Sequence, residues 1–284
     1  VGIQPDILVL RTEHQLSVDL RRKVALFCNV EPDAVIQSID VPSIYEVPLK
    51  MQEQKLDEIV LRKTGMEIGP RPELKPWREF LAHMQNAKDT VRIGLVGKYV
   101  ELQDAYKSIN EALFQAATYN NRKLDLQYIH SEKLTESNVE EKLSSMDGLI
   151  IAPGFGQRGV EGKFVALKYA REHDMPTFGI CLGMQCMVIE YARDVLGYKD
   201  ANSTEMDVNT PHNVIDLMES QKCISNMGGT MRLGEYDCIL QEGSKAEQAY
   251  GKTHIKERHR HRFEFNGDYR SEFEAAGMKC VGEN

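Results

Sequence analysis

The sequence predicts an α/β fold: a mostly parallel sheet with helices on both faces. Three observations predict it. From residue 91 onward, short apolar runs alternate with stretches of helical periodicity, the pattern of a parallel sheet covered on both sides. Two of those runs end in glycine-bearing turns that open into a helical pattern. The chain, at 284 residues, is also long enough for about two domains of roughly 150 residues each.

Taken in order, Asp6–Leu10, Lys23–Cys28 and, more weakly, Ala34–Ile36 are short apolar runs of buried-strand type. Residues 51–63 carry Leu56, Ile59, Val60 and Lys63 at helical spacing and predict a surface helix. This first stretch has too few elements for a sheet of its own and is expected to be the C-terminal remnant of a larger α/β domain. Pro70, Pro72 and Pro76 then crowd one short segment, the best linker in the chain, with Trp77 packing it onto a domain. Beyond it come a strand at 91–97, a helix at 104–119 and a strand at 124–129. An acidic helix at 135–145, a strand at 148–152, a helix at 160–172, a strand at 176–180 and a helix from Gly183 to about Leu196 follow. The expected domains are 1–66, a linker at 67–90, and 91–284.

Composition excludes several function classes. With 42% hydrophobic and 27% charged residues the chain is ordinary and globular. No apolar run is long enough to span a membrane. Net charge is −8, which argues against a nucleic-acid binder, since that affinity rests on neutralising phosphates. The six cysteines include no CxxC pair and have irregular spacing, so a reduced, cytoplasmic setting is expected and no metal site is predicted. Val1-Gly2-Ile3-Gln4-Pro5 is not a signal peptide. Lys279–Asn284 starts a strand and stops, so the chain is expected to be a fragment of a longer protein.

Two strand ends carry the chemistry. Gly179-Ile180-Cys181-Leu182-Gly183 lies where a buried strand meets a helix, the nucleophile-elbow pattern with Cys in place of Ser. Flanking glycines let neighbouring backbone come close. A helix N-terminus under the thiol is expected to lower its pKa and to offer N–H groups to an oxyanion. A thiolate there attacks a carbonyl or carboxamide. The second strand end, Ala152-Pro153-Gly154-Phe155-Gly156-Gln157-Arg158-Gly159, exposes backbone N–H groups at the sheet edge where open α/β folds bind ligands. Its spacing fits neither GxGxxG nor a P-loop. The Met184, Met187 and Val188 cluster is expected to be core packing, and Cys186 buried and inert.

Gly179–Gly183 followed by Met184-Gln185 resembles the nucleophile motif of class I glutamine amidotransferases. Across nearly the whole chain the sequence resembles the CTP synthase family. The motifs that carry this likeness include Gly2–Asp6, Ala25–Val30, Gly97-Lys98-Tyr99, Asp104–Ser108, Asn202–Glu205, Gly228–Gly234 and Glu257–Glu264. The resemblance implies amination of UTP to CTP, with ATP and Mg2+ as cofactors and ammonia from glutamine. GTP is implied as activator, CTP as product and feedback inhibitor, and a homotetramer as the full-length assembly. It implies Cys181 as nucleophile, Gly154 and Leu182 as oxyanion donors, and Gly183, Met184, Gln185, Glu205 and Arg262 around the glutamine. It places Lys23, Ile39, Asp40 and Val41 at nucleotide sites and makes Lys107 and Arg232 candidates for the GTP effect. A zwitterionic substrate needs a fixed anion for its ammonium, which Glu205 can supply.

Two departures stand out. The loop has one glycine between Pro153 and Phe155 where the family usually has two. None of the eight histidines lies in the late His-Pro-Glu motif that supplies the family's base, so residues 1–284 alone are expected to be nearly inactive. The Arg258–Arg262 run is expected to have a structural and substrate role rather than a nucleic-acid one. Two other readings are an amidotransferase serving a different synthase and a non-catalytic regulatory paralogue.

Overall fold

The computed structural model describes residues 2–218 and 231–283. The chain forms two compact units, Val1–Ala87 and Lys88–Asn284.

In the first unit β1 (Leu8–Thr12) and β2 (Val35–Ile39) pair in parallel, Leu8 opposite Val35. Between them α1 (Val18–Cys28) occupies the segment expected to be a strand at Lys23–Cys28. A six-residue apolar run does not distinguish strand from helix. The Ser17 Oγ accepts the Leu20 N–H at 3.2 Å and caps the helix, and Asn29 closes it in the left-handed region at φ 52°. The single helix expected over 51–63 is two, α2 (Val47–Glu53) and α3 (Leu56–Thr64), because Lys55 breaks the run at φ 60°. Ala34, Ile36 and Ile59 form this unit's core.

The expected linker, 67–90, is only partly irregular. Helix α4 (Lys75–Asn86) fills its second half, and the next strand begins at Asp89. Pro76 is tolerated because it sits in the first turn, where no intrahelical N–H bond is lost. The Trp77 indole donates to the Tyr45 carbonyl at 2.8 Å and stacks on Phe80.

The second unit is built on four parallel strands: β3 (Asp89–Gly97), β4 (Arg122–His130), β5 (Gly148–Ile151) and β6 (Thr177–Gly179). Their order is β4-β3-β5-β6. Alternation along β3 and β5 sends Leu95 and Ile150 to one face and Val96, Leu149 and Ile151 to the other. Helix α5 (Lys107–Tyr119) covers the first face. Three helices cover the second: α6 (Val139–Leu143), shorter than the predicted 135–145, α7 (Val160–Glu172) and α8 (Leu182–Asp194). Both faces are therefore buried, as the sequence predicts.

Antiparallel additions follow. Strand β7 (Ile215–Leu217) pairs with β10 (Phe263–Phe265), and β8 (Arg232–Leu240) pairs with β9 (His254–His261) and β11 (Gly282–Glu283). Helices α9 (Lys245–Tyr250) and α10 (Arg270–Ala276) complete the unit. Cys223 and Gly228-Gly229-Thr230 lie outside the described residues. No helix among the described residues is long and apolar enough to cross a membrane.

Candidate active site

Cys181 occupies the turn between β6 and α8 with φ 53° and ψ −112°. A positive φ on a residue with a Cβ is strained and must be held by its surroundings. They hold it here through two close approaches. A Cβ at Gly179 would lie 2.6 Å from the Gly183 carbonyl carbon and the Met184 nitrogen, and one at Gly183 would overlap the Ile151 carbonyl. Only glycine at both places lets α8 dock against the strand ends.

The thiol is half-buried, with the Arg260 carbonyl 4.0 Å away. Burial pushes the Cys181 thiol above the ordinary thiol range, and Glu205 pushes the same way. The Leu182 N–H and Lys163 pull it down without prevailing. This corrects the expected lowering: loss of water around the sulfur outweighs the helix N-terminus. A thiol so placed needs a base to give up its proton. Cys186, fully buried one turn on, is pushed up to about 12 and is inert.

A cavity of about 150 Å³ opens at Cys181. Of the predicted residues it gathers Cys181, Gly154, Gln185, Glu205 and Arg262. Gln185 is buried, and its Nε2 donates to the Phe263 carbonyl at 3.1 Å. Its Oε1 is buried with no hydrogen-bond partner among the described residues, an acceptor that a ligand N–H would satisfy. The Glu205 carboxylate accepts the Gly156 N–H at 3.1 Å, while the Ser203 Oγ accepts the Glu205 N–H at 3.2 Å. The glycine loop and the carboxylate are thus tied together on one wall.

Phe155, Met231, His261 and Phe263 also line the cavity. Sequence reasoning assigned no cavity position to His261, and its signal was weak because only the β9 alternation aims it inward. The His261 Nδ1–H donates to the Phe263 carbonyl at 3.2 Å, so its Nε2 accepts from the His259 Nδ1–H at 2.9 Å. Burial lowers both imidazoles below their ordinary value, with Arg232 second in each case. Both are therefore neutral at pH 7.

The other predicted residues sit elsewhere. Leu182 is buried behind the thiol and Gly183 packs on Ile151. Met184 faces an apolar groove with Met187, Val188 and Phe273 rather than the cavity. Lys107 begins α5 and pairs with Glu111 at 2.7 Å. The Arg232 guanidinium lies over the Tyr236 ring, 4.1 Å from its centroid, and its Nε is buried without a hydrogen-bond partner among the described residues. Lys23, Ile39, Asp40 and Val41 are in the first unit, where Lys23 is exposed on α1 and Asp40 bonds Arg11 at 3.0 Å. Among the described residues no cluster of three His, Cys, Asp or Glu side chains could hold a metal ion.

Comparison with known proteins places this geometry. Residues 101–284 match the model of the class I glutamine amidotransferases, and residues 1–66 match that of the CTP synthase N-terminus. The glutaminase domain of a Trypanosoma brucei CTP synthase, solved with bound acivicin, is 37% identical. It aligns with a TM-score of 0.62 over 66% of this chain and 73% of its own. The chain belongs to the CTP synthase family of class I glutamine amidotransferases. CTP synthases of Porphyromonas gingivalis and Bacteroides fragilis are 68% and 66% identical over the whole of it. The chain spans 53% of the length of these CTP synthases.

Proposed function

We propose that this chain carries the glutaminase of a glutamine-hydrolysing CTP synthase together with the end of its synthase domain. One observation carries the reading: Cys181 on its strained elbow, Gly154, Gln185, Glu205 and Arg262 all line one small cavity. The chemistry of those groups fits glutamine. Glu205 receives the α-ammonium, Arg262 the α-carboxylate, and the Gln185 Oε1 a substrate N–H. Cys181, deprotonated by a base, attacks the γ-carboxamide carbon. The oxyanion forms beside the Leu182 and Gly154 backbone, the C–N bond breaks, and ammonia leaves with the proton taken from the thiol. Water then cleaves the glutamyl thioester to glutamate and restores the thiol.

In the full-length protein the ammonia aminates UTP to CTP, with ATP activating the uracil oxygen, in the cytoplasm. The family resemblance supports GTP activation, CTP feedback and a homotetramer. Lys23 is exposed on α1, and Ile39 ends β2, with exposed Asp40 and half-buried Val41 just beyond it. Mg2+ would accompany ATP in the full-length protein; among the described residues no cluster of three His, Cys, Asp or Glu side chains would hold it. The test is a coupled assay on the full-length protein. Glutamine-dependent CTP formation that Cys181→Ser abolishes, while added ammonia still supports synthesis, is the expected result. CTP formation indifferent to Cys181→Ser would overturn the reading.

A further inference from the structure

Two buried lysines behind the glycine loop have no part in the chemistry above. Lys163, in the first turn of α7, is completely buried, the bulkiest side chain so enclosed among the described residues. A buried ammonium is costly unless it is bonded and paired. Its Nζ donates to the Ala152 carbonyl at 2.7 Å. Lys98, buried just past the end of β3, donates through its Nζ to the Phe155 carbonyl. The two held carbonyls bracket Pro153-Gly154. Proline fixes its own φ, and the peptide planes are rigid, so two pinned carbonyls and one pinned N–H leave the loop little freedom. The pinned N–H belongs to Gly156, held by Glu205.

The lysines themselves are closely packed. The Gly162 Cα presses on the Ser131 backbone with no room for a Cβ, which fixes the turn of α7 that bears Lys163. At Gly154 a Cβ would lie 3.3 Å from the Lys98 Cε and 3.5 Å from a Leu182 methyl. The loop, Lys98 and the residue after the nucleophile are therefore in one packed layer.

We propose that Lys163 and Lys98 are positioning residues of the glutaminase, clamping the Ala152–Phe155 loop so that the Gly154 backbone is set against the oxyanion that forms at Cys181. The proposal rests on the glutaminase reading. A second consequence follows from charge. The ionisable groups facing Lys163 are Cys186, Lys98 and Cys181, and Glu205 and Glu161 act on those thiols in turn. Burial lowers the Lys163 pKa, and its positive charge favours the Cys181 thiolate.

The experiment uses the full-length protein with Lys163→Met and Lys98→Met. Three readouts are taken: kcat and KM for glutamine, the pH profile of Cys181 alkylation by iodoacetamide, and the melting temperature. A displaced oxyanion donor costs about 10²-fold in kcat. The expected result is a fall of that order for Lys163→Met and a smaller one for Lys98→Met, each with KM within about threefold of the parent. The alkylation midpoint moves to higher pH in Lys163→Met. Should that variant not fold, Lys163→Gln carries the test, because it keeps an N–H donor and drops the charge: its alkylation midpoint rises while more of kcat survives. The clamp is overturned if the folded variants keep kcat and the alkylation profile within twofold of the parent, or if only KM moves. A parent enzyme that hydrolyses no glutamine would sink the glutaminase reading instead, and the alkylation profile would still judge the lysine's charge.

Discussion

Cys181 was legible because its backbone demands unusual neighbours. A non-glycine at φ 53° survives only where Gly179 and Gly183 admit the opposing backbone, so the two glycines announce the elbow in the sequence. Gly183→Ala tests this. Its methyl would meet the Ile151 carbonyl, and overpacking costs about 1–3 kcal/mol. Lost Cys181 alkylation and a lowered melting temperature are expected. Glu205→Gln should raise KM for glutamine with kcat changed much less, a loss of about 1.5–3 kcal/mol in kcat/KM if the carboxylate meets an ammonium. An unchanged KM would remove Glu205 from the substrate site. His261, Lys98 and Lys163 were not legible. Only the crossing of distant elements brings His261 to the cavity and the two lysines to the carbonyls of the glycine loop.

The histidine pair makes a prediction about acid. Unfolded imidazoles titrate near 6.5, and burial beside Arg232 places both folded values lower. In that interval the unfolded chain binds more protons than the folded one. Stability therefore falls as pH drops through about 6.5 and levels off below the folded values. Thermal melts between pH 8 and 5.5 should show that decline, and His259→Gln should flatten it. Equal slopes for parent and variant would show that the pair is not held neutral.

Among elements, those with strong periodicity matched best. Helix α7 was expected over 160–172 and spans Val160–Glu172. Helix α1 was misread because Lys23–Cys28 is apolar and short, while its start signal, Ser17 followed by Asp19, lies upstream. Ser17→Ala removes the acceptor of the Leu20 N–H and should cost about 1 kcal/mol, read from denaturant melts of the first unit's signal. A cost near zero would mean the helix is held by packing alone. Pro76 misled in the other direction: three prolines suggested a break, but the last of them opens α4.

At the scale of the whole molecule, alternation of strand and helix gave the parallel sheet and its covered faces, because both faces of β3 and β5 are apolar. The antiparallel β8-β9-β11 and β7-β10 pairings were not foreseen. Their strands carry charged residues such as Arg258 and Arg260, which pattern alone does not assign to a sheet. Yet this added sheet supplies His261, Arg262 and Phe263 to the cavity, so the site needs both layers. A glutamine-derived diazoketone, incubated with the full-length protein and followed by peptide mass analysis, tests most directly whether this cavity is a glutamine site. One adduct is expected, on Cys181, slowed by glutamine and slowed in Glu205→Gln. An unlabelled Cys181, or labelling that glutamine does not slow, would contradict it.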